Sequence, residues 1–119
     1  MLNWLDRAEE ESLHLSVLTL GEIRQGIVGL PHGKRRARLE AWLETGLRGR
    51  FEGRIIPVTD AVADRWGRLM AQSRSKGRPA PFLDTLLAAT AIEHHLAVVT
   101  RNARDFARLD VPVVNPWEA

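Results

Sequence analysis

The sequence predicts an α/β fold in one domain, residues 1–119, with a central parallel sheet and helices on both of its faces. Short apolar runs typical of buried strands alternate along the chain with longer segments of helical periodicity. The chain has 119 residues, 45% of them hydrophobic and 27% charged, which is enough to bury one hydrophobic core. In such sheets ligands bind at the carboxyl ends of the strands, so functional residues are expected there.

The predicted elements follow from periodicity and capping residues. The tail of a first helix covers residues 2–11, and the predicted strands are 14–18, 55–58, 97–100 and 111–114. One predicted helix begins at Thr19, and a second covers 34–47 with Leu39, Trp42, Leu43 and Leu47 as its apolar stripe. Further helices start at Thr59 or Asp60 and cover 82–95, with a short helical turn at 102–105. Segment 73–81 is predicted to be a polar loop. Pro57 has no amide hydrogen to donate, which predicts that the second strand lies at a sheet edge.

Composition excludes several classes of protein. There are no cysteines, which excludes disulfide scaffolds and thiolate metal sites and suits the reducing cytoplasm. No run approaches the roughly 20 apolar residues that span a bilayer, and residues 1–12 do not resemble a secretory signal, so no role at a membrane is expected. Net charge is only +2, but basic residues cluster at 34–38, 74–78 and 101–108. These clusters are either a solvated surface or contacts to a polyanion.

Three carboxylates stand directly after a predicted strand or at the start of a predicted helix. Glu22 completes a capping box with Thr19, and that structural role is a sufficient explanation for it alone. Asp84 begins an apolar helix, where it either complements the helix dipole or serves a site. Asp105 follows the strand at 97–100, where it is either a capping partner of Asn102 or a functional group.

The joint placement of these carboxylates favours a metal site. In a parallel sheet, the positions of Glu22, Asp84 and Asp105 would lie on one rim, and Thr100 and Asn102 add oxygen atoms at the same strand end. Clustered carboxylates repel one another, and Mg²⁺ or Mn²⁺, which prefer oxygen ligands, relieve that repulsion. With arginines nearby, hydrolysis of a phosphodiester is the reaction class that this arrangement predicts.

Three segments resemble PIN-domain ribonucleases, and most closely toxins of the VapC or FitB type from toxin–antitoxin pairs. The segments are LSVLTLGEIRQGI at residues 15–27, GRPAPFLDTLLAATAIEHHLAVVTRNARDF at 77–106 and VPVVNPW at 111–117. The resemblance covers nearly the whole chain in order. It implies a small α/β/α sandwich and a metal-dependent endoribonuclease that hydrolyses RNA with a water activated by Mg²⁺ or Mn²⁺.

The resemblance also implies roles for particular residues and partners. Glu22, Asp84 and Asp105 match the family's catalytic metal ligands, and Thr100 and Asn102 match its supporting residues. Arg101 and Arg104, beside them, are candidates for RNA contacts. The implied partners are an antitoxin of the VapB or FitA kind that blocks the site, a second copy of the chain in a homodimer, and operator DNA bound through the antitoxin.

In one respect the sequence differs from the resembled family. Members of that family begin with a central strand that ends in an Asp-Thr-Asn or Asp-Ser-Asn motif and supplies the first metal ligand. This sequence contains no such strand, and Asp6 does not replace the missing aspartate. Two explanations stay open: a start further upstream, or a truncated remnant. Low ribonuclease activity is therefore expected, with recovery on upstream extension. The alternative functions are an inactive PIN remnant that only binds antitoxin, and a doubly wound receiver or nucleotide-binding domain.

Overall fold

A computed structural model describes residues 12–77, 80–100 and 103–115. The described residues divide into two compact units, one of residues 12–57 and one of residues from 58 onward. Each unit contains one pair of parallel strands. The predicted helix tail at 2–11 lies outside the described residues, and the single domain over 1–119 stays a prediction.

The unit of residues 12–57 is built on one strand pair and two helical segments. Strand β1 (Leu15–Ser16) leads directly into helix α1 (Val17–Val28). A second, continuous helix follows, comprising α2 (Lys34–Ala41), a wider π-helical turn (Trp42–Leu47) and α3 (Arg48–Arg50). Strand β2 (Ile55–Ile56) then pairs in parallel with β1, with Leu15 opposite Ile55.

The core of this unit lies between α1 and the second helix. Leu20, Ile27 and Leu43 are buried, and Leu43 is fully so. The partly buried residues packed around them are Leu15, Ile23, Leu39, Leu47 and Ile55. The predicted apolar stripe of the second helix is therefore confirmed at Leu39, Leu43 and Leu47. It is wrong at Trp42, whose side chain is 45% exposed.

The second unit begins with helix α4 (Asp60–Ser75), which packs against α5 (Phe82–Glu93). Thr59 caps α4, because its hydroxyl oxygen accepts a hydrogen bond from the Val62 amide at 3.2 Å. Ala88 and Ala89 are fully buried in α5, and their small side chains let a neighbouring backbone approach closely. Arg65 on α4 donates to Glu93 on α5 at 2.7 Å and ties the two helices together.

The same unit ends with strand β3 (Val98–Val99), helix α6 (Ala103–Ala107) and strand β4 (Val113–Val114). β3 and β4 pair in parallel, with Val98 opposite Val113. The amide of Val98 donates to the Pro112 carbonyl at 2.9 Å, and the amide of Thr100 donates to the Val114 carbonyl at 3.0 Å. Thr100 is thus held at the carboxyl end of β3.

The α/β class and the parallel pairing of strands are confirmed. The strands are shorter than predicted, and within the described residues they form two separate pairs. Helix α4 also continues to Ser75, past the predicted loop start at residue 73. No helix in the described ranges is long and apolar enough to cross a membrane.

Candidate acidic site

Asp84 lies in the first turn of α5, where the helix enters the core of its unit. Pro81 precedes the helix in an extended conformation (φ −59°, ψ 142°), and its carbonyl accepts bonds from the amide and the hydroxyl of Thr85 at 3.0 and 2.7 Å. The next residues, Thr85 and Leu86, are buried, whereas Asp84 is only partly buried. The fold therefore anchors the helix end and leaves the Asp84 carboxylate at the edge of the core.

Asp105 is presented by a different helix of the same unit. It lies on α6, which packs against α5, and its side chain is exposed. Phe106 and Leu109, immediately beyond it, are buried and hold this segment in place. A buried side chain next to an exposed carboxylate is the arrangement expected when α6 has one face toward the core.

The electrostatic environment links Asp84 to Asp105. Partial burial raises the pKa of the Asp84 carboxyl, and the negative charge of Asp105 raises that pKa further. The guanidinium of Arg108 acts in the opposite direction and lowers the pKa of Asp84. Two carboxylates and one arginine on α5, α6 and the turn after α6 thus share one electrostatic environment.

Of the supporting residues, Thr100 and Arg104 fall within the described part of the chain. Thr100 is partly buried at the end of β3, in the strand-end position that the sequence predicted. Arg104 is exposed on α6, next to Asp105 in the chain. Arg101 and Asn102 lie outside the described residues, so their predicted roles stay predictions.

Glu22 belongs to the other unit, on α1, and its capping explanation is wrong. The helix begins at Val17 and not at Thr19, because the Ser16 side chain accepts a hydrogen bond from the Leu18 amide at 3.0 Å. Glu22 therefore lies in the second turn, beyond reach of the N-terminal amides, and the first turn holds no acid. Its side chain is exposed. The structural role that accounted for Glu22 is removed, and the residue is left available for a ligand.

The donor chemistry of this site fits a hard divalent cation. Asp84 and Asp105 are oxygen donors whose mutual repulsion a cation would relieve. Within the described residues, no three His, Asp or Glu side chains lie together closely enough to hold a metal ion. The geometry therefore assembles a pair of carboxylates, and the third predicted ligand, Glu22, is on the other unit.

Arg108 is the residue of this site that sequence reasoning did not select. It belongs to the basic cluster 101–108 and lies in the turn after α6, three positions beyond Asp105. Its place in that basic cluster was the available signal. Its exposed guanidinium near the acidic pair offers a phosphate-binding group beside carboxylates that would otherwise repel a polyanion.

The structure is that of an α/β protein with an acidic site at the end of a strand. It has parallel strand pairs, an apolar helix that begins with a carboxylate, and a second carboxylate after the next strand. The sequence profile of the PIN domain family matches residues 1–112. The chain belongs to the PIN domain family. The match includes Glu22, Asp84 and Asp105.

Named relatives and solved structures agree with this assignment. The chain is 34% identical to VapC ribonuclease Y4jK of Sinorhizobium fredii over 99% of its own length and 84% of that protein. It is 36% identical to toxin FitB of Neisseria gonorrhoeae, covering 96% of this chain and 82% of FitB. The crystal structure of FitAcB from the same organism superposes with a TM-score of 0.93 at 35% identity, covering 99% of this chain and 85% of that one. FitAB bound to an IR36 DNA fragment gives a TM-score of 0.91 at 34% identity, with coverages of 98% and 81%.

Proposed function

We propose that this protein is the toxin of a toxin–antitoxin pair and acts as a metal-dependent endoribonuclease. The observation that carries the proposal is the electrostatically coupled pair of Asp84 and Asp105 in a PIN-domain chain. Relatives named as VapC ribonucleases and as toxin FitB support both the chemistry and the biological class. The substrate class is RNA, and the bond that is hydrolysed is a phosphodiester.

The acidic and basic residues of the site have different proposed roles. Asp84 and Asp105 are the groups that would hold Mg²⁺ or Mn²⁺, and Glu22 stays a predicted third ligand. When bound, the cation supplies charge neutralisation at the phosphate and lowers the pKa of a water molecule. Arg108 stabilises the negative phosphate oxygens, and Thr100 supplies a hydroxyl at the end of β3. Hydrolysis forms a bond between phosphorus and the water oxygen and breaks the bond to the leaving sugar oxygen.

The proposed partners follow from the same comparisons. The similar solved structures include FitAB on DNA, FitAcB and a VapBC-5 complex, which supports a cognate antitoxin that covers the site of this toxin. Operator DNA would be bound through that antitoxin. We also propose a homodimer and a cytoplasmic location, which suits a chain without cysteines that acts on RNA.

The test is RNA cleavage by the purified chain with Mg²⁺ or Mn²⁺, comparing the wild type with Asp84→Asn and Asp105→Asn. Each substitution removes one carboxylate charge and keeps the side-chain shape, so cleavage should fall by about 100-fold or more while circular dichroism is unchanged. Asp64→Asn is the matched control, because Asp64 is exposed and pairs with Arg68 on α4. Wild-type rates in the Asp84→Asn and Asp105→Asn variants would contradict the proposal.

A second candidate function is binding of an antitoxin without cleavage. It is favoured by one observation: the described residues do not assemble three potential metal ligands. The two candidates separate in one experiment, in which the chain is purified with its antitoxin, freed from it and assayed with Mg²⁺ and with Mn²⁺. A stable complex together with no cleavage in either metal, by this chain or by a version extended upstream, would establish the binding function and exclude the enzyme.

A further inference from the structure

The helix that runs from Lys34 to Arg50 exposes a face of unusual composition. Arg35, Arg38 and Trp42 are spaced three and four residues apart, which places them on one side of the helix. All three side chains are exposed. The buried residues of the same helix, Leu43 with partly buried Leu39 and Leu47, face the core. The exposed face, named here the Arg–Trp face, consists of Arg35, Arg38 and Trp42.

The positive charges of the Arg–Trp face are not neutralised by the helix itself. Residues 34–50 contain six basic and two acidic side chains, a net charge of +4. Both acids are engaged elsewhere: Glu40 accepts from Arg36 at 3.3 Å, and Glu44 pairs with Arg24 and, at 4.0 Å, with Arg48. Within the described part of the chain, Arg35 and Arg38 have no hydrogen-bond or ion-pair partner. They are therefore available to an anionic partner.

Trp42 supplies an exposed aromatic surface on the same helix face as these charges. Its side chain is 45% exposed, and its ring lies against Gly46, where an added methyl group would come within 3.2 Å of Trp42 Cδ1. The absence of a side chain at Gly46 gives the indole room beside the backbone. The ring stands at the first residue of the π-helical turn, and such turns occur frequently at functional sites.

We propose that the Arg–Trp face binds single-stranded RNA, with Arg35 and Arg38 on phosphates and the Trp42 indole stacked on a base. Guanidinium groups suit phosphate oxygens, and stacking on an aromatic ring accepts any base. A protein partner is disfavoured because Trp42 is the single large apolar side chain exposed among residues 34–50, and the centre of a protein interface needs contiguous apolar surface. The inference deepens the proposed function, since it assigns substrate binding to a surface outside the acidic pair.

The test measures RNA binding without cleavage. A fluorescein-labelled single-stranded RNA of about 12 nucleotides, within the span that such surfaces cover, is titrated with the full chain in chelator and followed by anisotropy. Arg35→Gln/Arg38→Gln should weaken binding and lower the slope of log affinity against log salt by about 1.4, roughly 0.7 for each lost phosphate contact. Trp42→Ala should weaken binding roughly tenfold, and Trp42→Phe should restore most of it.

Controls distinguish this surface from a general charge effect. Arg68→Gln removes an exposed arginine that is already paired with Asp64, so it should leave binding nearly unchanged. Duplex RNA of the same length should show little dependence on Trp42, because its bases are already stacked. Equal binding by the wild type and Trp42→Ala overturns the inference. So does normal RNA binding by the surface variants accompanied by loss of dimerisation or of antitoxin binding, which would make the face a protein interface.

Failure of this inference and failure of the proposed function give different results. Cleavage with Mg²⁺ by the wild type, and equally by Trp42→Ala, with no loss of RNA binding in that variant, rejects the Arg–Trp face and keeps the ribonuclease. Binding of RNA that depends on Trp42, without any cleavage by the wild type or by a version extended upstream, supports the face and rejects the ribonuclease.

Discussion

The negative charge of Asp105 on α6 raises the pKa of Asp84 on α5. The two side chains come from different helices of one unit, and partial burial of Asp84 acts in the same direction. Arg108 opposes both effects. A carboxylate held in this way favours either a proton or a cation, and that preference leads to the first two predictions.

The stability of the metal-free protein should depend on the charge of Asp84. Because the pKa of Asp84 is raised in the folded state, the folded chain binds this proton more tightly than the unfolded chain does. The favourable contribution is complete below the unfolded pKa of about 4 and is lost as pH rises through the folded pKa. Asp84→Asn should therefore have a higher Tm than the wild type at pH 7 in chelator, with the difference vanishing toward pH 3.

Asp64→Asn is the control for this pH series. Asp64 accepts a hydrogen bond from Arg68 at 2.9 Å on the exposed face of α4, so its neutral substitute should give no gain in Tm at pH 7. A Tm of Asp84→Asn that is equal to or below that of the wild type at neutral pH would contradict the assignment of charge repulsion at Asp84.

Divalent cations should stabilise the wild type through the acidic site. A ligand that binds only the folded state raises the free energy of unfolding by about 2.7 kcal/mol at a concentration of 100 times its Kd. Mg²⁺ and Mn²⁺ should therefore raise the Tm of the wild type, and chelator should reverse the shift. The increase should be reduced in Asp84→Asn and Asp105→Asn. Equal shifts in wild type and both variants would show that the cations bind elsewhere.

Removing the Ser16 side chain should destabilise the protein through the start of α1. The Ser16 oxygen accepts from the Leu18 amide, and Ser-to-Ala changes at such caps cost about 1 kcal/mol. Urea denaturation of Ser16→Ala should show this loss. Ser75→Ala is the matched control, because the exposed Ser75 hydroxyl only donates to the Gln72 carbonyl near the end of α4, and its loss should stay within about 0.5 kcal/mol. Similar losses in both variants would count against the cap.

Replacing His95 by glycine should stabilise the protein, whereas replacing His94 by glycine should not. Its backbone adopts φ 55°, a left-handed conformation that costs a side-chain-bearing residue about 1–2 kcal/mol and glycine little. His95→Gly should therefore raise the free energy of unfolding by roughly 0.5–1 kcal/mol after the entropy cost of glycine. His94→Gly, where φ is −104°, should give no gain. Thermal denaturation of both variants checks this prediction. A gain in stability in His94→Gly as large as that in His95→Gly would contradict it.

Two helix starts show what the sequence could and could not decide. Thr59 and Asp60 were adjacent candidates for the start of α4, and the structure gives the capping role to Thr59. Ser16 and Thr19 both suit the start of α1, and apolar neighbours made Ser16 look like strand interior, so the capping role went to Thr19. The error shifted the apparent role of Glu22 as well.

Trp42 was misplaced for a geometric reason. Helical periodicity assumes 3.6 residues per turn, which groups Trp42 with Leu39 and Leu43. The π-helical turn at Trp42–Leu47 is wider, so the buried positions follow a spacing of four residues through Leu39, Leu43 and Leu47, and Trp42 faces solvent. No local sequence signal marks this change of pitch.

The sequence predicted which acidic residues belong to the site better than it predicted how they come together. Asp84 at a helix start and Asp105 after a strand could be selected from order along the chain, and the structure couples them. Arg108 was not selected, because its effect on Asp84 depends on how α5 packs against α6 and on the turn that follows α6. Packing between helices is a tertiary property that periodicity does not encode.

The two strand pairs differ in the length of chain that each must close. Thirty-eight residues separate Ser16 from Ile55 in the β1–β2 pair, whereas only 13 separate Val99 from Val113 in the β3–β4 pair. The entropy of loop closure makes the longer connection more costly by about 1 kcal/mol before any contact is formed. The β3–α6–β4 segment, which carries Asp105, should therefore gain protection from amide exchange earlier during refolding than β1 and β2 do.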